Sequence, residues 1–94
     1  MPEYVTIPEA LAELPTESEN AVAEFLRDQG VTGDKHSSSC PIAVWITRRT
    51  GQRVTVVVND VMPAFPALGR FVNPHAVREF IRSFDRGVYP HLFA

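Results

Sequence analysis

The single cysteine, Cys40, comes closest to reactive chemistry of any residue in this chain. It precedes Pro41, which is typical of the first position of a helix, so the thiol would lie at the positive end of the helix dipole. Lys35 and His36 lie just upstream and would add positive charge, which favours the nucleophilic thiolate. The alternative is a small buried side chain that anchors a loop, the commonest role of a free cysteine. We expect this second, structural role for Cys40, with its sulfur shielded.

The other polar residues do not indicate metal binding or hydrolysis. The histidines, His36, His75 and His91, have no zinc-site spacing with one another or with Cys40. The serines at 37–39 do not lie in a strand–turn–helix elbow, and the chain has no glycine-rich phosphate loop. The sequence therefore predicts no catalytic residue, no metal ligand and no cofactor, and indicates that the protein is not an enzyme.

Four arginines near a predicted strand form a second candidate site: Arg48, Arg49, Arg53 and Arg70. They would either bind an anion such as a nucleic-acid phosphate or form a solvated face paired with carboxylates. The chain has 9 basic and 11 acidic residues, with a formal net charge of −2. Because this balance gives no overall attraction to polyanions, nucleic acid is disfavoured as the partner.

The apolar C-terminal tail, Val88–Phe93, must either pack back onto the core or meet a partner. Its aromatic residues and the arginines are residue types enriched in protein interfaces. We predict that the protein binds a protein partner or associates with itself, for example as a homodimer through the tail. The predicted partner-binding residues are Arg48, Arg49, Arg53, Arg70, Tyr89 and Phe93.

Four helices are expected to position these residues, as judged from caps and apolar spacing. The first lies around Ile7–Leu14. The second is expected to begin with a capping box formed by Thr16 and Glu19 and to end near Gln29. The third begins at Pro41.

The last helix gives the clearest local signal in the sequence. Asn73 is expected to be its N-cap, Pro74 its first helical residue and Gly87 its left-handed terminator. Its apolar face follows the i, i+3, i+4, i+7 spacing of a core-facing helix. That face consists of Val77, Phe80, Ile81 and Phe84.

One strand is predicted between the third and fourth helices, at Gln52–Val58, because its β-branched run disfavours a helix. Val61–Met62 would return as an antiparallel partner. The segment Pro63–Val72 would form either a strand ending at Arg70–Val72 or an irregular loop over the core. With 94 residues, of which 45% are hydrophobic, the chain is expected to form a single compact domain over 1–94. The predicted fold is α+β, with about four helices packed around a short antiparallel hairpin or ribbon.

A soluble cytoplasmic protein is expected, with no membrane contact. One cysteine cannot form an internal disulfide, and small secreted domains usually contain several. The N-terminus lacks the basic and apolar regions of a signal peptide, and no apolar run is long enough to span a bilayer.

Two patterns resemble those of small uncharacterised proteins of actinobacteria and their bacteriophages. One is Cys40-Pro41-Ile42-Ala43 at a helix start, and the other is F-D-x-G-x-Y-P-x-L at residues 84–92. With residues 25–27 and 30–33, the resemblance covers most of the chain, and it carries no catalytic residues. It implies a non-enzymatic protein, such as a phage product that modulates a host protein by binding it. The alternative hypothesis is a small nucleic-acid-binding or regulatory module that uses the Arg48–Arg53 region.

Overall fold

The computed structural model describes residues 3–64 and 69–94, which form four α-helices, a three-stranded antiparallel sheet and a C-terminal 3-10 helix. This is the predicted α+β fold, with helices packed around a short antiparallel ribbon. Helices α1 to α4 span Ile7–Ala12, Glu19–Asp28, Pro41–Thr50 and His75–Asp85. Strands β1 to β3 span Val54–Val56, Asp60–Pro63 and Phe71–Val72, and the 3-10 helix spans Pro90–Leu92.

The capping box that the sequence predicts for α2 is found instead at α1. The capping box lies at α1, where the Glu9 amide donates to the Thr6 hydroxyl at 3.3 Å and the Thr6 amide donates to the Glu9 carboxylate at 3.2 Å. Helix α2 begins at Ser18, whose hydroxyl accepts the Ala21 N–H at 3.1 Å. The capping box predicted for Thr16 and Glu19 is therefore wrong, because the helix begins after Ser18.

Helix α3 begins at Pro41, as the sequence predicts. Cys40 is its N-cap, and Gly51 ends it with a φ of 70°, a conformation in which a side chain would be strained. Gly33, in the loop before α3, is required for a different reason. A Cβ there would lie 2.5 Å from the Ser39 carbonyl oxygen and 2.6 Å from the Pro41 nitrogen, so only glycine allows the two backbones to pack this closely.

The sheet has the order β1-β2-β3. The return strand predicted at Val61–Met62 is confirmed, with Val56 opposite Val61 and Thr55 opposite Met62. Strand β1 is shorter than predicted because Val57 belongs to the turn, where its N–H donates to the Asp60 carbonyl at 3.0 Å. Of the two structures expected near Val72, the strand is observed, although residues 65–68 lie outside the described residues.

The core is built on the predicted apolar face of α4. Its four residues are at most 6% exposed, and they pack with buried side chains from the other helices and from the sheet. Phe80 is 1% exposed, and its ring stacks on Phe84 at 5.9 Å and on Tyr89 at 5.3 Å between centroids. Among residues 3–64 and 69–94, no helix has the length and apolar content needed to cross a bilayer.

Asn73 does not cap α4, contrary to the sequence prediction. The N-cap is Pro74, which makes no side-chain hydrogen bond to the helix. The fully buried Asn73 side chain instead donates to the carbonyls of Val57 at 2.9 Å and Val58 at 3.1 Å. Its backbone N–H donates to the Asn59 carbonyl at 2.8 Å. Asn73 therefore fastens the β1–β2 turn to the start of α4 and gives hydrogen-bond donors to carbonyls that need them.

We predict that Asn73→Asp destabilises the protein by about 3–5 kcal/mol at neutral pH. A carboxylate would bring negative charge against two carbonyl oxygens and would leave both without a donor. Urea titration should give this difference relative to the unchanged protein. Asn59→Asp, at an exposed position in the same turn, is the matched control and should cost less than about 1 kcal/mol. Equal losses in both variants would contradict the role assigned to Asn73.

Candidate functional site

A recess lies between α1, α2 and α3, and we call it the Trp45 groove. It is open to solvent and has a volume of about 670 Å³. It contains two of the six predicted partner-binding residues. Its lining consists of Glu3, Glu13, Phe25, Gln29, Trp45, Arg48 and Arg49.

The aromatic floor of the groove is held in place by neighbouring elements. The Trp45 indole N–H donates to the Ala10 carbonyl at 3.1 Å, which fixes the ring of α3 against α1. Phe25 of α2 meets this ring edge-on, with centroids 5.0 Å apart and an interplanar angle of 83°. Trp45 is 4% exposed, whereas Phe25 is half-buried and offers apolar surface to the groove. The floor is therefore rigid and apolar.

Arg49 forms one wall of the groove and is neutralised there. Its Nε and Nη2 donate to the two carboxylate oxygens of Glu13, each at 2.8 Å. The guanidinium lies 5.9 Å from the centroid of the Trp45 ring. Because this pair has the two-pronged geometry of the stronger ion pairs, it ties α3 to the end of α1 and orders the wall.

Arg48 leaves most of its hydrogen-bond donors available. Its Nη1 donates to the Gln29 carbonyl at 2.9 Å, at the C-cap of α2, and the residue is exposed. No carboxylate in the described part of the chain is within ion-pairing distance of it. The groove thus has one fixed, unneutralised positive charge at its edge.

The other two predicted arginines lie outside this groove. Arg70 is at 3.6 Å from the Asp60 carboxylate and lines a separate recess beside β2 with Met62 and Pro63. Arg53 is exposed between α3 and β1. Arg48 and Arg49 are therefore brought together, but the four arginines do not line one recess.

The C-terminal tail packs onto the core, which is one of the two roles the sequence leaves open. Tyr89 is 6% exposed, and its hydroxyl donates to the Asn20 side chain at 2.8 Å. The half-buried Phe93 ring stacks on Phe84 with centroids 4.3 Å apart. The Gly33 amide donates to the Leu92 carbonyl at 2.8 Å. The structure therefore places Tyr89 within the core and only the edge of Phe93 near solvent.

Cys40 has the predicted position, at the start of α3 with its side chain 5% exposed. Its sulfur accepts the Ala43 N–H at 3.5 Å. Burial raises the pKa of the Cys40 thiol, and the negative charges of Asp85 and Asp34 add to the rise, against the lowering by the hydrogen bonds of the first helical turn. A thiol in this state is protonated at neutral pH, the opposite of what a nucleophilic cysteine requires.

No group of three or more His, Cys, Asp or Glu side chains that could hold a metal ion is found in residues 3–64 and 69–94. Sequence reasoning identified Arg48 and Arg49 from their type but missed Glu13, Phe25 and Trp45 as parts of the same site. Glu13 and Arg49 are 36 positions apart, so only the packing of α1 on α3 brings them together. The local signal for this site was the presence of Trp45, Arg48 and Arg49 within one helix.

Comparison with protein-family models, with curated proteins and with solved structures gives no match for this chain. The resemblance to actinobacterial and phage proteins therefore stays a prediction.

We predict that the free energy of unfolding falls at alkaline pH because the buried Tyr89 hydroxyl loses its proton. Burial, with a smaller contribution from Glu19, raises the pKa of Tyr89 to about 12. The native state therefore holds this proton more tightly than the unfolded chain, whose tyrosine titrates near about 10. The stabilisation is complete below about pH 10 and should fall by about 1–2 kcal/mol between about pH 10 and about pH 12.

Urea titrations at about pH 8 and about pH 11 should show this decline in the unchanged protein and a smaller decline in Tyr89→Phe. At the lower pH, Tyr89→Phe should cost about 1 kcal/mol because Asn20 loses its donor. Tyr4→Phe is the matched control, since Tyr4 is 64% exposed. A decline of the same size in all three proteins would show that Tyr89 is not its source.

We predict that the Cys40 thiol reacts slowly in the native protein and rapidly in denaturant, because burial blocks access and raises its pKa. The rate of labelling by a thiol reagent measures this directly. Ser38→Cys combined with Cys40→Ala places a thiol on the exposed part of the same loop and should label at once. Native labelling of Cys40 as fast as that of the control would instead indicate a reactive cysteine.

Proposed function

We propose that this protein acts by binding another protein, without catalytic turnover, and that the Trp45 groove receives the partner. One observation carries the proposal: an open recess combines an aromatic floor, Trp45 and Phe25, with two arginines on its walls. Arginine is among the residues that contribute most to the binding energy of protein interfaces, and Phe25 provides the accessible aromatic surface because Trp45 is only 4% exposed beneath it. An open recess of this kind suits a segment of a protein better than an enclosed small molecule.

The rigidity of the groove also supports a role in binding a protein partner. The Trp45 ring is held by the Ala10 carbonyl, and Arg49 is held by Glu13. Side chains that are already ordered lose little conformational entropy when a partner binds. The groove is therefore prepared for binding without rearrangement.

The charges define the chemistry of the partner segment. Glu13 neutralises Arg49, whereas Arg48 keeps unpaired donors at the groove edge. The half-buried face of Phe25 offers apolar contact beside them. The segment that fits has an apolar side chain for the accessible face of Phe25 and a neighbouring carboxylate for Arg48.

A nucleic-acid-binding or regulatory module is the alternative. Glu13 pairs with Arg49 and Asp60 with Arg70, so within residues 3–64 and 69–94 the members of the predicted set without an ion pair are Arg48 and Arg53. Two such arginines in a chain of net charge −2 favour a protein partner over a polyanion. Following the resemblance, we place the interaction in the cytoplasm, with a host protein as the partner that a phage product would modulate.

Two substitutions test the proposal. The full chain is used to capture a partner from host lysate, and the purified partner is then titrated against each variant. Arg48→Glu should weaken binding by about tenfold or more because it repels the partner carboxylate, and Phe25→Ala should weaken it by a similar factor.

Arg82→Glu is the matched control, because Arg82 is an exposed arginine of α4 that pairs with Glu79 and does not line the groove. It should change the affinity by less than about twofold. Equal affinity of Arg48→Glu and the unchanged protein would exclude the groove. Retention of duplex DNA with a steep salt dependence would support the alternative instead.

A further inference from the structure

Strand β3 lies at one edge of the sheet, and its outer side is not paired with any described strand. The Asn73 N–H donates to the Asn59 carbonyl at 2.8 Å. Because bonded and non-bonded pairs alternate along an antiparallel ladder, the next pair, Asp60 and Val72, exchanges no hydrogen bonds. The N–H and C=O of Val72 therefore point away from β2. Within residues 3–64 and 69–94, neither group bonds to another backbone group.

The two edges of the sheet are treated differently. At the β1 edge, the Val56 N–H donates to the Ser37 carbonyl at 2.7 Å, so the loop before α3 shields that strand. Edge strands are usually shielded in this way or by charged side chains. Val72 is instead 68% exposed. Tyr4, which is 64% exposed, lines a recess that also reaches Phe71 of β3. Exposed apolar surface is thus gathered around the open edge.

A recess of about 300 Å³ lies between β3 and α1, and we call it the β3–α1 recess. It is lined by apolar side chains and one threonine, with no charged residue among the described ones: Pro8, Leu11, Ala12, Thr16, Phe71, Val72 and Pro74. A peptide that adds to a sheet edge gains affinity from main-chain hydrogen bonds and specificity from pockets for its side chains. Val72 supplies the first, and the recess beside it supplies the second.

The occupant that fits this edge is an extended segment that is not part of a folded core. A second copy of the chain would offer its own β3, in which the Phe71 side chain packs on its own core. Only its Val72 would then be free to fill the recess. An extended segment presents every second side chain to the same face, at a rise of about 3.3 Å per residue.

We propose that an extended, uncharged, apolar segment of a partner protein adds to β3 as a fourth strand of the sheet, over the β3–α1 recess. One residue of the segment exchanges hydrogen bonds with the N–H and C=O of Val72. Its side chain and those two positions away pack on the apolar lining, beside Pro8 and Ala12. This site shares no residue with the Trp45 groove.

The test uses the peptide acetyl-Thr-Val-Thr-Val-Thr-amide as the probe and the ¹⁵N-labelled full chain as the target. At saturation, solvent exchange of the Val72 amide proton should slow by about tenfold or more, because this N–H gains a partner. The Phe71 amide faces β2 and should change by less than about twofold. The same peptide with every backbone nitrogen methylated keeps the side chains but has no donors, and it should bind about tenfold or more weakly.

Two variants test the two parts of the site. Val72→Pro removes the outward N–H and is compatible with an edge strand, and Ala12→Arg places a long charged side chain over the recess. Each should weaken peptide binding by about tenfold. Ala12 is exposed at the end of α1, where a cation is favourable, so Ala12→Arg should leave the urea midpoint nearly unchanged. Ala64→Arg, at an exposed position outside the recess, is the matched control and should change the affinity by less than about twofold.

The proposal is overturned if the peptide gives no saturable shifts up to about 10 mM, or if the methylated peptide binds equally well. Unchanged affinity in both Val72→Pro and Ala12→Arg would also overturn it. Protection of the Val72 amide that rises with protein concentration in the absence of peptide would assign the edge to a second copy instead. Because the two sites share no residue, none of these results bears on the Trp45 groove.

Discussion

The apolar face of α4 must be covered from more than one side, and most of the architecture follows from that constraint. Phe80 and Phe84 each gain an aromatic partner from the tail, Tyr89 and Phe93 respectively. Helix α2 packs along the same helix and is joined to it by the hydrogen bond from Ser83 to Glu19 at 2.9 Å. Aromatic residues that would suit an interface are thereby used inside the protein.

Because the aromatic residues of the tail are used in the core, the arginines and aromatic residues of the candidate site lie on the other side of α2. There α1 and α3 meet, and Arg49 pairs with Glu13 across the contact. The Trp45 ring fills the seam and bonds to the Ala10 carbonyl. Its neighbour Arg48 then lies at the rim, where the Gln29 carbonyl holds it. A fixed positive charge over an aromatic floor results from helix packing.

Local signals predicted the helices because each helix end depends on residues close in sequence, such as Gly87 with its φ of 82°. Local signals failed where a polar side chain had two possible sets of hydrogen-bond partners. Asn73 had either helix N–H groups or turn carbonyls as partners, and the carbonyls win because burying them without donors costs more. Thr6 and Thr16 each precede a glutamate by three residues, but α2 begins at Glu19 with Ser18 as its N-cap, so of these two threonines only Thr6 forms a capping box. The Trp45 groove could not be predicted from local signals, because the residues that contact each other in it, such as Glu13 and Arg49, are far apart in sequence.

The charges of the Trp45 groove are divided between a satisfied pair and an unpaired group, and this division determines what a partner would have to supply. The Glu13–Arg49 pair is satisfied, so the proposed binding would leave it in place and add contacts at Arg48. The Gln29 carbonyl already holds Nη1 of Arg48 at the groove edge, so a partner carboxylate would meet a guanidinium that is partly ordered. The charge of the partner is therefore the part of its chemistry that the groove specifies most closely.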